Sequence, residues 1–120
     1  MKLLIEPDTY PLKFVIFGGS NDFGGFIREL EKLGADMDEV RECLTSMVDD
    51  MEHTAGFRLN LGCIQAIWVK DRLKWATLDS YMHELLHAVW GGMEYLGIDC
   101  EESWTYLLDY LVRELTDTKL

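Results

Sequence analysis

The strongest constraint on this chain lies in its last third. From Leu78 to Leu96 apolar side chains recur at steps of three and four, through Met82, Leu85, Val89 and Met93, which is the period of an amphipathic helix. Gly97 offers a stop for it, since glycine takes the left-handed backbone that ends helices. Ile98-Asp99 leaves only a short connection before the helical period resumes from Glu101 to about Leu115, through Trp104, Leu107, Leu108 and Leu111. A link this short forces the two helices antiparallel.

Upstream the period is that of strands. Leu12 to Phe17 is a continuous apolar run with β-branched and aromatic members, and it reads as a strand. An earlier apolar run, Lys2 to Glu6, is set apart from it by the turn-like Pro7 to Pro11. Phe57 to Leu61 alternates apolar with polar, and after Gly62 the run Cys63 to Val69 is apolar almost throughout. The two make either a hairpin over Gly62 or one bulged strand. Between these strands two helices are expected. One runs from about Asp22 to Leu33, capped by Ser20, Asn21 or Asp22 and stopped at Gly34; the other runs from Asp36 to Met51. The expected fold is α+β in a single domain over residues 1–120, with a small sheet from strands near 12–17, 57–61 and 63–69.

Several function classes fall away on composition. Lys and Arg number 11 against 22 Asp and Glu, a formal charge of −11, so no basic surface is available to track phosphates and direct nucleic-acid binding is not expected. Mimicry of DNA by an acidic surface remains open as an indirect route. Gly18, Gly19, Gly24 and Gly25 suggest a phosphate loop, but no Lys-Ser or Lys-Thr follows them. Cys43, Cys63 and Cys100 lie far apart and outside any Cys-x-x-Cys spacing, which suits free thiols in a reducing cytoplasm. No secretory signal and no bilayer-spanning run is read in the sequence, so a soluble cytoplasmic protein is expected. Asp49, Asp50 and Glu52 read as a solvated helix end, and His53 beside them as a surface residue.

The chemistry is concentrated inside the first C-terminal helix, in His83-Glu84-Leu85-Leu86-His87. His-Glu-x-x-His on a helix sets two imidazoles one turn apart on one face, able to grip one zinc ion. The adjacent carboxylate, Glu84, is then placed to act as general base. A catalytic zinc takes three protein ligands. Candidates for the third lie on the last helix, where Glu102, Tyr106, Asp109 and Arg113 share a face. Along a straight helix at 1.5 Å per residue, its far end lies on the order of 15 Å from the histidines, so Asp109 is nearer their level than Glu102. A bend at Gly91-Gly92 would bring Glu102 closer.

The His83-Glu84-x-x-His87 helix, preceded by a strand ending at Val69 and followed by Glu102-Ser103-Trp104-Thr105-Tyr106-Leu107, resembles the zincin superfamily, in particular its gluzincin branch. More narrowly it is similar to small zincin-like proteins encoded by tailed bacteriophages, over roughly residues 57–115. That resemblance implies a minimal zincin-like fold, His83, His87 and Glu102 as zinc ligands, and Glu84 as general base. Under it Glu102 is preferred to Glu101 or Asp109, and Tyr106, one turn on, either donates a hydrogen bond to an oxyanion or caps the pocket. Trp90 is expected as a pocket wall, and Tyr81, Met82, Met93 and Trp104 as packing. The expected function is a zinc-dependent hydrolase of metallopeptidase type acting on a peptide or protein, in the bacterial host cytoplasm if phage-encoded. The alternative is a non-catalytic acidic accessory or host-interaction protein with a structural zinc.

Overall fold

The computed structural model describes residues 1–19, 22–47 and 54–120. Four strands, β1 (Lys2–Ile5), β2 (Lys13–Gly18), β3 (Gly56–Leu61) and β4 (Ile64–Val69), form one sheet in the order β1-β2-β4-β3. The β2–β4 pair is parallel, while β1–β2 and β3–β4 are antiparallel. Among the described residues four α-helices accompany it: α1 (Phe23–Lys32), α2 (Met37–Met47), α3 (Leu78–Leu96) and α4 (Glu101–Lys119). The fold is mixed α+β. Among the described residues, no helix is long and apolar enough to cross a membrane.

The two central strands are apolar on both sides because both sides are covered. Phe14, Ile16, Ile67 and Val69 join one buried cluster with Leu85, Val89 and Met93 of α3 and Leu107, Leu111 and Leu115 of α4. Val15, Phe17 and Ala66 point the other way and pack with Phe26 and Leu30 of α1, Val40 of α2 and Leu59 of β3. Continuous apolar runs in β2 and β4 are the signature of such a doubly covered position. The edge strand β3 alternates instead: Phe57, Leu59 and Leu61 are buried on the α1–α2 side, and Arg58 and Asn60 lie on the other.

Local punctuation follows the backbone each residue permits. Gly62, at φ 74°, turns the β3–β4 hairpin, and Gly97, at φ 72°, ends α3. Asp22 caps α1, its carboxylate accepting from the Gly25 N–H at 2.8 Å; Ser20 and Asn21 lie outside the described residues. So do Asp49, Asp50, Met51, Glu52 and His53.

Two expectations need correction, and one open alternative is narrowed. The sheet has a fourth strand, since Lys2 to Ile5 pairs antiparallel with Phe17 to Phe14; β2 offers it a free edge, and a short alternating run is enough to fill one. Met82 is 40% exposed, and the buried arc of α3 runs instead through Tyr81, Leu85, Ala88 and Met93. That helix is wedged between the sheet and α4, so its buried arc centres one residue away from the expected stripe. Gly91-Gly92 does not unwind the helix: α3 is one continuous helix from Leu78 to Leu96. Both glycines are buried, and they let the helix approach Arg58, Gln65 and Leu12, whose atoms would lie 2.3, 2.7 and 2.9 Å from an added Cβ.

Candidate metal centre

His83 and His87 stand one turn apart on α3, both exposed, with ring centroids 4.8 Å apart and planes 75° to each other. Two imidazoles bound to one tetrahedral zinc at roughly 2.0–2.1 Å hold their ring centres about 5 Å apart, so the pair fits two positions of such a site.

Glu84 differs sharply from its neighbours. It is 8% exposed, and it tucks against the start of β3, where a Cβ on Gly56 would lie 3.3 Å from its Cγ. No hydrogen bond or ion pair to its carboxylate is found among the described residues. Burial pushes its carboxyl above the usual carboxylate range, with His83, His87 and Arg58 pulling the other way.

Arg58, on β3, belongs to no motif in the sequence, yet it meets the site. Its Nη1 donates to the His87 carbonyl at 2.9 Å, tying the edge strand to the turn of α3 that carries the second imidazole. Burial lowers its pKa, against the raising influence of Glu84 and Glu94. Alternation in Phe57-Arg58-Leu59 marks Arg58 as opposite the buried residues; only the tertiary fold says that α3 covers that side.

A cleft of about 440 Å³ opens beside His83 and Glu84, with Gly56, Asp79 and Ser80 among its walls. Gly56 pairs with Val69, so this cleft lies level with the carboxyl end of β4. There β2 leads on to α1 against one face of the sheet, and its parallel neighbour β4 leads on to α3 against the other. In open sheets, binding sites gather outside the carboxyl ends of parallel strands at such a reversal.

Glu102 does not join the histidines. Leu107, Leu111 and Leu115 turn one side of α4 into the core. At 100° per residue Glu102, Tyr106, Asp109 and Arg113 fall on the opposite side, and all four are exposed. The Tyr106 hydroxyl donates to Glu102 Oε1 at 3.3 Å, and Glu101 is exposed beside it. Among the described residues, no group of three or more His, Cys, Asp or Glu is placed to hold a metal ion. His83, Glu84 and His87 are brought together; Glu102 and Tyr106 form a separate pair. Trp90 packs on Trp104 with centroids 5.6 Å apart, at the end of the α3–α4 hairpin.

Compared with known proteins, the chain matches no protein-family model, no curated protein and no solved structure.

Proposed function

We propose that His83, Glu84 and His87 are the working edge of a zinc-dependent hydrolase of peptidase type, the reading that accompanies the resemblance to small phage zincin-like proteins. The observation that carries it is Glu84, a mostly buried residue whose carboxylate borders the cleft without a hydrogen-bond partner among the described residues, next to two exposed imidazoles. Partial desolvation disfavours the charged form of such a carboxylate, and groups of this kind gather at sites where a proton must move. His83 and His87 would hold the zinc, which when bound supplies Lewis acidity toward a scissile carbonyl. Glu84 takes and returns the proton. Burial raises its pKa in the metal-free chain, the direction that favours holding a proton. Arg58 fixes the His87 turn through the backbone carbonyl and sets a positive charge near Glu84. The cleft beside Gly56 is where an extended substrate segment meets these groups.

Glu84→Gln keeps both imidazoles and should keep zinc while abolishing cleavage of a mixture of unstructured peptides followed by mass spectrometry. Full turnover in that variant removes Glu84 from the reaction. The outward turn of Glu102 leaves two ligands where a catalytic zinc takes three, which favours a second reading, a non-catalytic acidic accessory or host-interaction protein. Undiminished biological activity of Glu84→Gln supports it over the first.

A further inference from the structure

Away from the histidines, the connection between β1 and β2 folds across α4 and leaves a cleft of about 350 Å³. Its walls include Tyr10, Tyr106 and Tyr110, with Pro7 and Leu107 as apolar surface and Asp8 at the side. Tyr106 is 66% exposed and Tyr110 37%, so both rings are accessible from outside the cleft. None of the lining residues is basic. Asp8 is exposed and pairs with no cation among the described residues, and the Glu102 carboxylate lies within hydrogen-bond distance of the Tyr106 hydroxyl. The cleft therefore joins π faces to a negative field, in a chain of formal charge −11.

Aromatic faces attract cations through the ring quadrupole, and several rings around one cavity select a positive charge carried on an apolar stem. From the three tyrosines, the carboxylates and the absence of a basic wall residue, we infer that this cleft docks an arginine or lysine side chain in a basic segment of a partner protein. The stem lies along Pro7 and Leu107, and the charged head sits among the rings near Asp8. The volume is at the small end of the range for ligand pockets, which suits one long side chain and its flanking backbone. The site uses neither histidine and stands apart from the proposed hydrolase function.

The test is fluorescence anisotropy with a labelled Gly/Ser peptide carrying one central arginine, against the same peptide with lysine or with uncharged citrulline. Wild-type protein should bind the arginine and lysine peptides and bind citrulline at least about fivefold more weakly. Tyr106→Ala and Tyr110→Ala remove exposed rings without changing net charge, and each should weaken arginine binding by about threefold to tenfold. Tyr106→Phe should retain it. Tyr95→Ala, which removes a ring exposed elsewhere, should leave it unchanged, as should His83→Ala, so failure of the zinc reading does not affect the outcome. Equal binding by wild type, Tyr106→Ala and Tyr110→Ala would reduce the effect to diffuse attraction by an acidic chain and overturn the inference. So would binding of citrulline as tight as arginine, or no binding by wild type.

Discussion

Gly18→Ala tests how tightly the start of α3 is locked to the sheet. Gly18 ends β2 and is buried, with a backbone that any residue can adopt, so only space is at issue. A methyl group there would lie 1.9 Å from Tyr81 Oη and 2.7 Å from ring atoms Cε1 and Cζ. Ordinary contact between such atoms needs about 3.5 Å. Tyr81 cannot easily withdraw: it is wholly buried, and its hydroxyl donates to the Asp71 carbonyl at 2.7 Å. Overpacking costs about 1–3 kcal/mol. A ring that moves away also gives up its hydrogen bond and leaves buried polar atoms unpaired, a further 1–3 kcal/mol or so. Against this, alanine in a strand recovers roughly 0.5–1 kcal/mol over glycine. The net expectation is a loss of about 3 kcal/mol, or a melting point lower by roughly 10 °C for a domain of this size. Urea unfolding followed by circular dichroism measures it. Adding Tyr81→Phe removes the nearest clashing atom but leaves the ring, so the double variant should be more stable than the sum of the two singles predicts, by about 1 kcal/mol. A Gly18→Ala protein within about 0.5 kcal/mol of wild type, or strict additivity in the cycle, refutes this packing argument.

Other expectations follow from single contacts. Burial, assisted by the Asp71 carboxylate, pushes the Tyr81 phenol up to about 12. In the unfolded chain it ionises near pH 10; stability present in full below that pH is therefore lost as pH rises toward about 12, by roughly 2–3 kcal/mol, and alkaline unfolding of Tyr81→Phe should lack that part of the slope. Arg58→Met removes the donor to the His87 carbonyl and should cost about 1.5–3 kcal/mol in chemical denaturation; a neutral result dismisses the tie between β3 and α3. Gly97→Ala meets no atom within 4 Å but must hold φ near 72°, so about 1 kcal/mol of backbone strain is expected in the same assay.

Features set by a few neighbouring residues are legible in the sequence. The left-handed positions Gly34, Gly62 and Gly97 are stop signals written into the local backbone. The α3–α4 pair follows from its period and its short link. The parallel pairing of β2 with β4 was not legible, because it is fixed by which faces α1, α2, α3 and α4 cover, a long-range outcome. Lys2–Ile5 became a strand because β2 had an open edge and because Leu3 and Ile5 pack into the core beside it. The outward turn of Glu102 was legible in principle: Leu107 and Leu111 were identified as its helix's apolar side, and at 100° per residue Glu102 falls opposite them. Glu84 is a different case. Its burial depends on Gly56 in another element leaving room for it, which no spacing within α3 reveals.

Elemental analysis of metal in protein purified without added zinc, on wild type and on His83→Ala, tests the central claim most directly. The account predicts close to one zinc per wild-type chain and its loss in the variant, because His83 and His87 grip the ion together. Wild-type protein without zinc, or a His83→Ala protein that holds as much as wild type, contradicts it.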